Sequence, residues 1–239
     1  MKTLNQNADQ LRHSAIIAGI SLLIMTIAAF FSYGYVHSSL IISGNPIATL
    51  NNLQGSIGLF NAEVLGWLVI LVTDILVSWA FYIYLKPIHQ GFSLLAGWLR
   101  LIYTAILAIA VSKLIQVGVL VNHSSELFSK STDALASQIM ISVQTFESVW
   151  SLGLIVFGLH LLVIGLVASK TRTIPKIIST LLCIAGASYM LIHLLHGFIP
   201  NLESITSTLE MILSIPMIAG ELGFGIWLLI KGGKAPLQD

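Results

Sequence analysis

Charge is what this chain has least of. Only 9% of its 239 residues are Asp, Glu, Lys or Arg, against about 25% in an average soluble domain. Hydrophobic residues reach 56% and the mean hydropathy is +0.92, which excludes a soluble globular domain and indicates an integral membrane protein. The net charge is +1, and no basic stripe exists outside the loops, so nucleic acid is excluded as a partner. A single cysteine, Cys183, lies in an apolar segment; one thiol can form neither an intramolecular disulfide nor a thiolate metal cage. H-E-x-x-H, G-x-S-x-G and G-x-x-x-x-G-K-[ST] are also missing, which removes the sequence signatures of a zincin-type protease, a serine nucleophile elbow and a phosphate-cradling loop. No cofactor or metal is expected.

What is present is a series of apolar stretches. The first, Ser14 to about Val36, follows a short polar tail and exceeds the roughly 7–15-residue apolar core of a signal peptide. No A-x-A site follows, so it reads as an uncleaved helix. The segment from His37 to Ile57 is a polar connection; within it Asn45-Pro46 looks like a cap followed by proline at the first helical position, opening a short interfacial helix through about Leu53. Further spans are expected from about Gly58 to Leu85, Ser93 to Val121, Gln138 to Ala168, Lys176 to Ile199 (ending at Pro200) and Thr208 to Ile230. A polar loop from Asn122 to Ser137 holds Glu126, Lys130 and Asp133, and a basic turn runs from Lys170 to Lys176. The expected fold is all-α: a polytopic membrane protein with six transmembrane helices. Residues 1–13 and 231–239 are read as tails and 14–230 as the membrane domain.

Loop charges give the orientation. Lys2, Arg12, Lys86, Lys170, Arg172, Lys176, Lys231 and Lys234 share one side of six spans, whereas the other side has Lys130 beside Glu126, Asp133 and Glu203. By the positive-inside rule both termini are expected in the cytoplasm.

The informative residues are the charges that remain inside the spans. An acid in hydrocarbon costs on the order of 3 kcal/mol on insertion scales, so it normally faces protein or water and has a partner. Counting at about 1.5 Å per residue from the cytoplasmic ends, Asp74, Arg100, His160 and Glu221 fall about 10–17 Å deep, in one layer contributed by four helices. A guanidinium between two carboxylates would relieve each of its unpaired-charge penalty. A second, outer layer gathers Glu63, Lys113, Glu147, His193, His196 and Glu210. Within it Ser207 to Glu210 reads S-x-x-E, a capping box for the last helix, and Lys113 can snorkel outward. His193 and His196, three apart on one helix, could hold one metal together with Glu147 or Glu63, although such a pair near an interface is more often a polar rim. In the last span, Pro216 frees a carbonyl near Ile212, and Gly220, Gly223 and Gly225 admit either close packing or a hinge.

Several strings are distinctive: DILVSWAFY from Asp74 with Lys86-Pro87, WLRLIY from Trp98, FGLHLL from Phe157 with Gly165, Ile174-Pro175-Lys176, GASY from Gly186, and Gly220-Glu221-Leu222 with WLLIKG from Trp227. Together they resemble the bacterial multi-pass membrane family catalogued as domain of unknown function 4386, over most of the chain. The resemblance implies a bacterial cytoplasmic-membrane protein and transfers no activity. Its strings centre on Asp74, Arg100, His160 and Glu221; Glu63, Glu147 and His193 lie outside the pattern.

Three functions fit these residues. The leading one is binding or transport of a small molecule or ion at Asp74, Arg100, His160 and Glu221, because intramembrane ionisable residues mark pathways. The second is a structural or regulatory membrane subunit whose charged cluster only fixes helix packing. The third is an intramembrane enzyme using His160 with a carboxylate as an acid–base pair. The lipid bilayer is the first expected partner, and the small-residue face Ala185-Gly186-Ala187-Ser188 would suit a homo-oligomer.

Overall fold

A computed structural model describes residues 2–123, 131–199 and 203–233, with the side chains of 2–7, 203–205 and 207 set aside. Glu126, Lys130, Pro200 and Lys234, which enter the sequence expectations, lie outside the described residues. The described chain is helical, without a β-strand: α1 (Lys2–Ala29), a π-helical segment (Phe30–His37), a short turn of α-helix (Ser38–Leu40), α2 (Pro46–Gly55), α3 (Ile57–Leu85), α4 (Gln90–Asn122), α5 (Thr132–Ala168), α6 (Lys176–Phe198) and α7 (Glu203–Lys231). Six of these stretches are long and apolar enough to cross a membrane: Ala8–Leu40, Ile57–Leu85, Gln90–Asn122, Thr132–Ala168, Lys176–Phe198 and Thr208–Lys231. Helix is the form such sequences must take in lipid, where every backbone N–H and C=O needs an internal partner. The hydroxyls obey the same rule: Ser14, Thr104, Ser142, Thr145 and Ser188 each donate to a carbonyl three or four residues earlier on their own helix.

Local chemistry sets the boundaries. Asn45 Oδ1 accepts from the Ala48 N–H at 3.0 Å with Pro46 opening α2, as its sequence requires. The expected loop from Asn122 to Ser137 is shorter than its polarity suggests. Ser131 Oγ accepts from the Ala134 N–H and Asp133 occupies the first turn, so α5 begins at Thr132 rather than near Gln138. The last helix starts at Glu203, which places Ser207 and Glu210 inside it. The expected capping box is therefore not at a helix start, and Glu210 is exposed. The first span reaches Leu40, so His37 belongs to the membrane helix and not to the connection after it.

The chain packs as two compact units. The first comprises residues 1–24, 72–105 and 151–239, and the second 25–71 and 106–150. In the first unit glycines let helices approach closely. A Cβ on Gly158 would stand 2.6 Å from the Gly186 carbonyl, and one on Gly220 would stand 2.9 Å from that of Leu181. Gly225 lies against Leu22, whereas Gly223 has open space. Of the small-residue face, Ala185, Gly186 and Ser188 are buried within the chain, Gly186 against α5 and Ala185 against Gly220, whereas Ala187 is exposed. Arg12, a loop charge in the sequence reading, closes the end of α7: its guanidinium donates to the carbonyls of Leu228 (3.5 Å), Leu229 (3.1 Å) and Gly232. Carbonyls in the last turn of a helix lack some or all of their intrahelical partners; that of Leu228 also accepts from the Gly232 N–H at 3.0 Å. The second unit is built around Val36, Leu50, Leu53, Phe60, Leu107, Leu114 and Phe146, all fully buried. Large apolar side chains such as Ile27, Leu65, Val72, Trp98, Ile177 and Ile215 point outward, an arrangement suited to acyl chains.

Candidate functional site

In the first unit four helices deliver one polar side chain each to a common point. Asp74 comes from α3, Arg100 from α4, His160 from α5 and Glu221 from α7. Arg100 Nε donates to Asp74 Oδ1 at 2.8 Å, and Nη2 reaches the same oxygen at 2.7 Å. Nη2 also donates to Glu221 Oε1 at 3.3 Å, and Nη1 points at His160 Nε2 at 3.2 Å. The guanidinium carries only donors, so His160 Nε2 must accept; its Nδ1, 2.8 Å from the Ala96 carbonyl, must then carry the proton. His160 is held as one neutral tautomer. The ring stacks between Phe81 and Phe157, at 6.1 and 5.8 Å, and the Arg100 guanidinium carbon lies 5.9 and 5.3 Å from the same two rings. That geometry adds cation–π attraction to the ion pairs.

The four members are not equivalent. Asp74, Arg100 and His160 are completely buried, whereas the Glu221 side chain is 19% exposed and makes the longest contact. Asp74 Oδ2 has no hydrogen-bond partner although it is buried. With both carboxylates ionised and the imidazole neutral, one guanidinium faces two negative charges. The cluster is one positive charge short.

The second unit holds a different constellation. His37 Nδ1 lies 2.7 Å from Glu63 Oε1, which also accepts from Trp67 Nε1 at 3.4 Å, and His37 Nε2 lies 3.5 Å from Glu147 Oε1. Glu63 is fully buried and Glu147 half-buried. Tyr33 stacks on His37 (5.2 Å) and meets the edges of Trp67 and Trp150, with Phe146 also against His37. Sequence reasoning found the two carboxylates and missed the histidine joining them. The other outer-layer histidines have different surroundings. His193 Nδ1 is 2.9 Å from Ser151 Oγ and its ring stacks on Tyr189, while His196 is exposed. Among the described residues no group of three or more His, Cys, Asp or Glu side chains is arranged to hold a metal ion. At His37 the reason is plain: its two carboxylates sit on opposite ring nitrogens and do not converge.

Comparison with known proteins now adds one decisive match. The family described as domain of unknown function DUF4386 covers residues 17–232. The chain belongs to this family. All ten residues singled out by sequence in the two layers, and His37, fall within the matched region. The chain is also 27% identical over 174 residues, 72% of its length and 85% of the relative's, to a protein of the archaeon Archaeoglobus fulgidus whose name assigns no function. No solved structure matches. This DUF4386 protein is a helical membrane protein with charged residues buried among its spans. Its two polar clusters, rather than a borrowed activity, are what a functional reading has to work from.

Proposed function

We propose that this protein binds a small molecule or ion within the membrane at Asp74, Arg100, His160 and Glu221, and exchanges it through Glu221. The supporting observation is the charge imbalance: two carboxylates share one guanidinium, and the neutral tautomer of His160 contributes no second cation. A proton or a small cation would complete the cluster. Glu221 is the member suited to trade partners, since it alone is part-exposed and holds Arg100 at 3.3 Å rather than 2.7 Å. We place the protein in the cytoplasmic membrane of a bacterium with both termini inside, on the strength of the loop-charge asymmetry.

The competing structural reading draws on the complete burial of Asp74, Arg100 and His160, since buried charge networks can serve only to fix helix packing. An acid–base role for His160 has no comparable support, because both its ring nitrogens are committed to partners. Ion flux separates the first two readings. Purified protein in liposomes, loaded with a pH-sensitive dye and challenged with a proton, sodium or potassium gradient, is expected to show flux that Glu221→Gln abolishes while the protein stays folded. Flux that is absent from the wild type, or unchanged in Glu221→Gln, leaves the cluster as a packing device.

A further inference from the structure

The second unit contains a cleft of about 350 Å³ lined by Tyr33, His37, Ser38, Met140, Gln144 and Glu147, among others. Its size is within the range of small-molecule sites, roughly 300–1,000 Å³, and far exceeds what a bare ion needs. Ile41 and Ser43 also line it, and they follow the end of the first span at Leu40. The cleft is therefore formed where that span passes into its connecting segment.

We propose that this cleft binds a small organic cation through its ammonium group. Three independent features support this. The first is charge. His37 stands between two carboxylates, one at each ring nitrogen, so with both carboxylates ionised the group is net negative whether the imidazole is neutral or protonated. An anionic ligand would worsen that surplus and a cationic one offsets it. The second is an unmet polar atom. His37 is 96% buried by residue and its Nδ1 is held by Glu63, whereas its Nε2 has Glu147 Oε1 only at 3.5 Å, too long to count as a hydrogen bond. The third is the backbone. Tyr33 and His37 both lie on the π-helical segment Phe30–His37, whose winding stacks their rings. π-Helical turns are rare and concentrate at functional sites. Tyr33 is 39% exposed, with Trp67 and Trp150 against its ring. A part-exposed aromatic beside a half-buried carboxylate, Glu147, is the pairing that recognises an alkylammonium: cation–π attraction on the ring and Coulomb attraction to the acid. Ser38 and Gln144 add hydrogen-bonding groups for the rest of such a molecule. None of these residues belongs to the Arg100 cluster, so this proposal stands or falls independently of the ion reading above.

The ammonium could be carried by a soluble amine or by the headgroup of an ethanolamine lipid, and one experiment distinguishes them. Choline and its uncharged carbon isostere, dimethylbutanol, are titrated calorimetrically into the full-length protein. The protein is held in nanodiscs of phosphatidylglycerol or of phosphatidylethanolamine. Choline is expected to bind and the isostere not. Equal choline affinity in both lipids assigns a soluble cation; affinity lost only in phosphatidylethanolamine assigns the headgroup. Glu147→Gln, at a half-buried position that should tolerate it, is expected to weaken choline at least tenfold, and Tyr33→Leu to weaken it as well. The proposal is overturned if choline does not bind in phosphatidylglycerol, if the isostere binds equally well, or if both variants keep wild-type affinity.

Discussion

Removing the guanidinium at the centre of the first unit should be more harmful than removing the whole ion pair. In Arg100→Met the side chain remains large and apolar, but Asp74 loses the partner of its Oδ1 while its Oδ2 already has none. Asp74 is completely buried and cannot turn to water. Breaking a buried pair from one side costs about 3–5 kcal/mol because it strands the other charge. At roughly 2–4 °C per kcal/mol for a chain of this size, the melting temperature should fall by about 6–20 °C. Glu221 adds little to that loss, being part-exposed and more loosely held. The double variant Asp74→Asn/Arg100→Met strands no charge from this pair, and should recover about half or more of the loss, since replacing both partners of a buried pair is often near neutral. Thermal unfolding in detergent, followed by the intrinsic fluorescence of the five tryptophans, compares the three proteins at one pH. The reasoning fails if Arg100→Met melts within about 2 °C of the wild type, less than the loss of 1 kcal/mol would produce. It fails equally if the double variant is no more stable than Arg100→Met.

Two further expectations are independent of that cluster. Gly158→Ala places a methyl group 2.6 Å from the Gly186 carbonyl and should destabilise by about 1–3 kcal/mol through overpacking. Gly223→Ala meets nothing within 4 Å and should stabilise α7 by about 0.5–1 kcal/mol; melting temperatures that move the same way in both would contradict the packing described. Orientation can be read by chemical labelling, because Cys183 is the chain's single thiol. In a Cys183→Ala background, an impermeant maleimide should label Ser43→Cys on intact cells and Arg172→Cys only after lysis. The reverse pattern would invert the topology.

Much of this structure was legible because membrane helices obey simple arithmetic. A fixed rise per residue, counted from basic ends, put Asp74, Arg100, His160 and Glu221 at one depth, and the structure brings their side chains together around one guanidinium. Asn45-Pro46 likewise carries its start signal in two adjacent residues. His37 was not legible. It opens a run of polar residues and looks like the first residue of a loop, and a π-helical turn leaves no trace in a pattern read at 3.6 residues per turn. Ser131 was overlooked for a similar reason: its cap sits at the end of a polar stretch that reads as loop throughout. Ser207 erred the other way, since an S-x-x-E string caps a helix only where one begins, and α7 has begun four residues earlier. Arg12 entered the sequence reading only as a loop charge, but its partners are backbone carbonyls more than 200 positions away, which no local motif reveals.

The bonds of Arg12 also constrain the order in which the molecule can be made. Helix α1 is synthesised more than 200 residues before the carbonyls that engage its arginine, those of Leu228, Leu229 and Gly232. Arg100 likewise finds Asp74 already made, but waits 60 residues for His160 and 121 for Glu221. Spans can enter the bilayer one after another, but the first unit cannot close until α7 has left the ribosome, and its charges must be sheltered until then. A nascent chain arrested before residue 221 carries Arg100 with one carboxylate partner and Arg12 with none of its three carbonyls. Quality control that recognises under-paired charge within the membrane would therefore detect a chain lacking its last helix at Arg100.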